Sequence, residues 1–339
     1  MIKSQNKMRI IKTFINIILL IRAVELIKLK EVSKNYRKHK ILRDVNLIVE
    51  SGDVLGVIGQ SGSGKTTLLN MIAGFIEPSE GEAVYISKTE GKERDLNKHL
   101  HKIKKHIGFT PQHNSFYPKL TVEENLIHFG RLYGMEMKTL KTNIDSLLEF
   151  TKLTHHKKKL ASQLSGGMQK RLDISCSLIH KPRILILDEP TADLDPILQK
   201  EVLHLLQEVN KQGITIVIAS HQLESIEKIC NKVAIVHNRT VHSHGLIEDI
   251  KKPYTRENFT INVASGKQKA QLIRRLQMHP FKKIIDKGHQ IVIYPEDIEK
   301  TLTHLVGAIR EEKMPLNNMD VRHPSLLEVF EEIALEKPK

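Results

Sequence analysis

The chain has 339 residues and a mass of 38.8 kDa, more than one hydrophobic core usually organises, so one large domain with a smaller appendage is expected. An apolar share of 40% beside 27% charged residues excludes a low-complexity chain, and two cysteines in unrelated contexts, Cys176 and Cys230, exclude a disulfide framework or a zinc site and suit a reducing cytosol. The net charge of +14 fits a lysine-rich solvated surface first, and after that an anionic membrane leaflet or a nucleic acid as neighbour.

The first apolar run, residues 14–21, contains Asn16 and lies between Lys12 and Arg22. It falls short of the roughly 20 residues that span a bilayer and lacks a convincing small-residue cleavage site. Residues 1–22 therefore read as an extension, either an amphipathic helix or a start-site artefact. Strand-like runs follow at 24–29, 45–49 and 54–58, broken by turn signals such as Ser51-Gly52-Asp53. A helix is expected over 65–73, with Leu68, Leu69 and Ile72 on one face.

Between that third strand and the helix, Gly59-Gln60-Ser61-Gly62-Ser63-Gly64-Lys65-Thr66 matches the phosphate-loop pattern, with Thr67 next. Glycines let backbone N–H groups turn onto phosphates, the helix start adds its positive dipole end, the Lys65 ammonium reaches the β and γ phosphates, and Thr66 offers a hydroxyl to magnesium. Further on, residues 121–156 read as a helical subdomain, with Leu126, Phe129, Leu132 and Tyr133 at helical spacing. Nearly unbroken apolar runs at 184–187 and 214–219 suit strands of a parallel sheet covered on both faces, so the core is α/β. The first of them ends in Asp188-Glu189, at the sheet edge where such proteins bind ligands. Asp188 suits magnesium and Glu189 suits polarising an attacking water.

Beyond Gly245, runs at 259–263, 268–277, 282–293, 297–312, 319–322 and 325–335 alternate strand and helix patterns. They predict a small α+β unit resembling a ferredoxin-like arrangement. The expected division is 1–22 extension, 23–250 nucleotide-binding domain and 251–339 accessory domain. The basic clusters at 102–105 and 155–159 read as solvated faces. His242 and His244 share only their spacing with a metal pair and read as a solvent-facing turn.

Leu164-Ser165-Gly166-Gly167-Met168-Gln169 resembles the LSGGQ signature of the ATP-binding cassette ATPases, with Met168 where that family often has Gln. The resemblance implies a P-loop NTPase core with an antiparallel β subdomain and a helical subdomain, ATP and Mg2+ as ligands, and a two-site dimer. In that dimer Ser165, Gly166, Gly167 and Gln169 face the γ phosphate held by a second subunit, identical or different. The same resemblance makes Tyr36 the adenine-stacking ring and Gln112 the glutamine that touches magnesium and water and senses a membrane partner. It makes Ala192-Asp193-Leu194-Asp195 the D-loop, with Asp193 where Gly is usual, and His221 the switch histidine that orients Glu189.

Gly108-Phe109-Thr110-Pro111-Gln112, the run from Phe116 to Asn125 and the tail Pro324-Ser325-Leu326-Leu327-Glu328-Val329-Phe330 are similar to exporter ATPases of drug and polysaccharide systems. The implied partner is a separate transmembrane permease, the implied location the cytoplasmic membrane face, and no nucleic acid is expected. The rival reading is a soluble ATPase of the same family acting on DNA or ribosomes. It is disfavoured because no coiled coil separates Lys65 from Ser165 and only one cassette is present. A relict, non-enzymatic binding protein is disfavoured by Glu189 and His221.

Overall fold

In the computed structural model the described residues are 25–37, 39–87, 92–254, 258–262, 267–277, 281–286, 290–295, 297–311, 318–322 and 325–335; the extension expected over 1–22 lies outside them. The chain divides into two compact units between Ile247 and Glu248.

Alternating apolar residues open the first unit. β1 (Glu25–Tyr36) buries Ile27, Leu29 and Val32, β2 (His39–Glu50) buries Leu42, Val45, Leu47 and Val49, and the two strands pair antiparallel with Leu29 opposite Leu47. Both strands run well beyond the expected 24–29 and 45–49. The residues between the expected runs remain paired, and register breaks between Leu29 and Lys34, with Glu31 at φ 51°, take up the irregularity as a bulge. After β3 (Val54–Gly59) and α1 (Lys65–Ile72), β4 (Glu80–Ile86) and β5 (Glu93–Asp95) complete an antiparallel sheet of order β2-β1-β4-β5.

The short helix α2 (Leu100–Ile103) leads into β6 (Ile107–Thr110), and a helical region follows: α3 (Val122–Leu132), α4 (Met137–Phe150) and α5 (Gly166–Leu178). Thr121 and Glu124 form a reciprocal capping box that starts α3. Leu126, Leu140, Ile144, Leu148, Leu172 and Cys176 pack these helices around their own core.

β7 (Ile184–Asp188), α6 (Pro196–Lys211), β8 (Thr215–Ala219), α7 (Leu223–Ile229), β9 (Lys232–His237) and β10 (Thr240–Leu246) complete the second sheet, of order β10-β9-β3-β8-β7-β6. All its pairs are parallel except β9 with β10. β3, β7 and β8 are buried along their whole length, as their unbroken apolar runs require. His242 and His244 correct one expectation: they sit two apart on β10, exposed in a paired strand and not in a turn. Among the described residues no group of three metal-ligating side chains converges.

α8 (Ile247–Lys251) bridges the boundary. The second unit contains β11 (Asn258–Asn262), α9 (Lys267–Leu276), β12 (Phe281–Asp286), β13 (Gln290–Pro295), α10 (Ile298–Glu311), β14 (Asn318–Arg322) and α11 (Leu326–Leu335). Its sheet has the order β12-β13-β11-β14 with every pair antiparallel. The run at 282–293 divides into two strands, with Ile284 opposite Ile293. Leu272, Leu276, Ile291, Ile293, Leu305 and Ile309 form the core of this unit.

Candidate functional site

β3 delivers the glycine-rich loop to the carboxyl edge of the parallel sheet, and α1 carries it away. Gly64 stands at the N-cap of α1 with φ 102°, and a Cβ there would lie 2.9 Å from the Leu42 side chain and 3.3 Å from the Ile41 carbonyl, so conformation and space both demand glycine. The Lys65 ammonium donates to the carbonyls of Gly59 at 3.0 Å and Gln60 at 3.1 Å, folding back over the loop it follows. Burial lowers its pKa, while the Glu189 and Asp188 carboxylates pull it back up.

Those acids arrive on β7. Asp188 closes the strand, buried, with its pKa raised by burial and by neighbouring Glu189 but lowered by a hydrogen bond from Thr66 and by Lys65. Glu189 turns out of the strand with φ 47°, its N–H donating to the Ala219 carbonyl of β8 at 2.9 Å. The left-handed backbone there is held by that bond. β8 in turn presents His221, whose Nδ1 lies 2.9 Å from Glu189 Oε2. A carboxylate only accepts, so Nδ1 is the donor in this pair.

Ser61, Gly62, Gly64, Lys65, Thr66, Thr67, Gln112, Asp188, Glu189 and His221 line one cavity of about 560 Å³, together with Ile41. Ser63 lies within the same loop. Tyr36 is exposed at the end of β1 with the Lys34 ammonium 5.3 Å from its ring centre, and among the described residues it does not line this cavity.

Gln112 hangs on a segment tied to α5. Thr110 Oγ1 and Ser177 Oγ are 2.9 Å apart, and the Ser115 N–H and hydroxyl donate to Asp173 Oδ1 at 2.9 and 2.6 Å. Asp173 is fully buried, with burial raising its pKa against the bonds from Ser115 and the Lys170 ammonium at 3.7 Å. Sequence reasoning misses Asp173 and Ser177, because their partners lie 58 and 67 positions away.

The same helix begins at the signature segment. Ser165 is the N-cap of α5 yet makes no side-chain cap bond, and Ser165 and Gly166 are exposed away from the cavity. Gly167 is buried, and a Cβ on it would meet the Leu198 side chain at 2.6 Å. The Gln169 amide turns back, donating to the carbonyls of Ala161 and Leu164 at 3.4 and 3.2 Å. In the following loop Asp193 takes φ 60°, the left-handed conformation that glycine occupies without cost and Asp tolerates. Asp195 then caps α6 through the N–H groups of Ile197 and Leu198.

A phosphate loop between a buried strand and a helix, facing an acid pair at the end of a parallel strand, defines a P-loop nucleoside triphosphatase. The profile of the family described as ABC transporter matches residues 42–192. The chain is 29% identical over 307 residues to the linearmycin resistance ATP-binding protein LnrL of Bacillus subtilis (strain 168), covering 90% of this chain and 97% of that one. It is 38% identical over 227 residues to the methionine import ATP-binding protein MetN of Clostridioides difficile (strain 630), covering 66% and 70%. Among solved structures it resembles a dimeric, post-hydrolysis ATP-binding cassette bound to ADP and Pi, at 28% identity and a TM-score of 0.57, over 66% of this chain and 99% of that one. The chain belongs to the ABC transporter family, as an ATP-binding subunit with ATPase activity.

Proposed function

We propose that this chain powers export through a separate membrane permease, as one of two ATPase subunits that close on ATP. The observation that carries the reading is the division of the site. One cavity gathers the phosphate loop, both acids, Gln112 and His221, while Ser165 and Gly166 lie exposed elsewhere on the same chain. A second copy, or a similar subunit, would bring its Ser165 to the γ phosphate, with the start of α5 adding amide donors. The Lys65 ammonium binds the phosphates, Glu189 orients the attacking water, and His221 holds Glu189 through its Nδ1 proton. The Thr66 hydroxyl, the Asp188 carboxylate and the Gln112 amide are hard oxygen donors around one cavity, which suits Mg2+. When bound, that ion neutralises phosphate charge. Tyr36 would stack on adenine from the exposed end of β1.

Export is favoured over import by the extent of the likeness. The alignment with the linearmycin resistance protein runs through 90% of this chain, whereas that with the methionine import protein covers 66%. We assign residues 23–250 to the cassette and 251–339 to an accessory domain of ferredoxin-like type, in keeping with its β-α-β-β-α-β succession and its strand order. No described helix is long and apolar enough to cross a membrane, so attachment to the cytoplasmic face would come through the permease. Affinity capture of tagged Glu189→Gln protein from detergent-solubilised membranes, with ATP present, tests this. Recovery of a multi-span membrane protein supports the reading, and recovery of ribosomes or DNA without one overturns it.

A further inference from the structure

Gln169, Asp173 and Ser177 stand four residues apart on α5, so they share one face of the helix on successive turns. Each of them meets the segment that carries Gln112. Thr110 and Ser177 bring their hydroxyls to 2.9 Å, and Ser177 also donates to the Phe109 carbonyl at 2.8 Å. Ser115 gives both its N–H and its hydroxyl to Asp173, and the Asn114 amide donates to Gln169 Oε1 at a longer 3.4 Å. The segment thus passes α5 in the opposite direction, fastened before Gln112 and again after it. Residues 111–114 between the fastenings belong to no helix or strand, and Gln112 and His113 are exposed. Where Gln112 stands at the nucleotide cavity is therefore decided by the two anchors.

The anchors differ in what else supports them. Thr110 closes β6, is fully buried and lies in register with Leu187 of β7, so the sheet fixes it with or without Ser177. After Gln112 the first short tie is that of Ser115 to Asp173, at 2.9 and 2.6 Å; the next joins the Tyr117 N–H to Asn125 Oδ1 at 2.7 Å. Without Asp173, what holds this side among the described residues is the long Asn114 contact and the buried ring of Phe116. Two donors of one residue on one carboxylate oxygen fix direction as well as distance, and the 2.6 Å hydroxyl contact has the length of a charge-assisted bond. A fully buried carboxylate is also a costly way merely to fasten a loop, since Asn would do so without desolvating a charge.

We infer that Asp173 is a positioning residue for ATP turnover: by taking both hydrogen bonds of Ser115, it sets where Gln112 stands at the nucleotide cavity. Asp173 itself lies outside the residues that line the cavity and acts through Ser115. The inference rests on the role proposed above for Gln112. A reacting group displaced by a fraction of an ångström loses much of its effect while the binding of substrate is hardly touched, so the signature of such a residue is a fall in kcat at nearly constant KM.

The test uses the full chain and two readouts: ATP turnover per folded molecule, and hydrogen exchange by mass spectrometry with AMP-PNP and magnesium bound. Asp173→Ala is expected to lower kcat about tenfold with KM for ATP within about twofold, and to speed exchange over residues 111–116 while α5 exchanges as before. Asp173→Asn keeps an acceptor for Ser115 and is expected to bring kcat back to within about threefold of the parent. Should Asp173→Ala fold too poorly to assay, Ser115→Ala removes the hydroxyl donor at a half-buried position and is expected to cost about threefold in kcat. Gln112→Ala separates the two readings. If it turns over like the parent, the role of Gln112 fails and this inference falls with it. If it is slow, adding Asp173→Ala or Ser115→Ala should slow it no further, because both act through Gln112. An additive loss in the double variant overturns the positioning role and leaves that of Gln112 standing. So does parental turnover in Asp173→Ala and Ser115→Ala, an Asp173→Asn as slow as Asp173→Ala, unchanged exchange over 111–116, or a general loosening of α5.

Discussion

The cavity around Lys65 and the segment at Ser165 are two parts of one chain that treat their polar groups in opposite ways. The cavity draws its charges inward: Lys65, Asp188 and Glu189 are buried, each satisfied by a neighbour on β3, α1 or β8. The signature segment leaves its donors outward. Thr121 and Asp195 both spend their side chains capping the helices they precede, but Ser165, a favoured capping residue in the same position, does not. A chain that gathers its phosphate loop, both acids and His221 in one cavity and leaves Ser165 outside it, uncommitted to a cap, fits the proposal that a second subunit completes the site.

The sharpest test of that contrast removes the carboxylate proposed to orient water and leaves the cavity intact. Glu189→Gln is expected to lower ATP turnover on the order of 10²–10³-fold while nucleotide binding persists, read by phosphate release beside a fluorescence titration. Near wild-type release would place the water elsewhere. On the outward side, Ser165→Arg should cost roughly ten- to a hundredfold in turnover and abolish ATP-dependent dimers in light scattering, with the affinity of the single subunit for ATP unchanged. If weaker binding accompanied the loss, the segment would belong to its own chain's site and the contrast would collapse.

The remaining effects are on stability. Asp173→Ala strands the Ser115 N–H and hydroxyl and is expected to cost about 1–3 kcal/mol in urea unfolding. His180 gives a pH dependence. Its pKa is pushed down to about 4, mainly by burial, while the Ile107 carbonyl at 3.1 Å pulls it up and His106 pushes it further down. Between the ordinary imidazole value near 6.5 and about 4 the unfolded chain takes up a proton that the folded chain refuses, so stability falls as pH falls through that window. In His180→Phe, which keeps an aromatic ring against Tyr133, that part of the slope should vanish from thermal melts across the same range. The smallest effect is expected of Asp193→Gly: a change within ~1 kcal/mol, since glycine only relaxes a backbone Asp already adopts. A severalfold rise in turnover would show instead that the Asp193 side chain restrains the loop.

What the sequence discloses follows the range of the interactions. Gly59 to Thr67 and Asp188-Glu189 are legible because their residue types stand at close spacing next to a strand or a helix, and the segment from Leu164 stands out by its resemblance to a family signature. The paired length of β1 is not, because Lys34, Asn35 and Lys40 carry turn-like polarity and are held by partners across the sheet. The ties of Ser115 to Asp173 and Thr110 to Ser177, and the meeting of Tyr85 with Arg183, join positions far apart in the chain and leave no periodic trace. The return of the Gln169 amide onto Ala161 and Leu164 is equally invisible to spacing, since a loop's own carbonyls compete for that side chain.

The two ties between α5 and the segment on either side of Gln112 also carry a mechanical meaning. A lever needs a stiff arm and a fixed joint. α5 is a thirteen-residue rod, and Thr110 and Ser115, on either side of Gln112, are fastened to it at Ser177 and Asp173, so the Gln112 segment and the helix that starts after Ser165 are held as one joined piece.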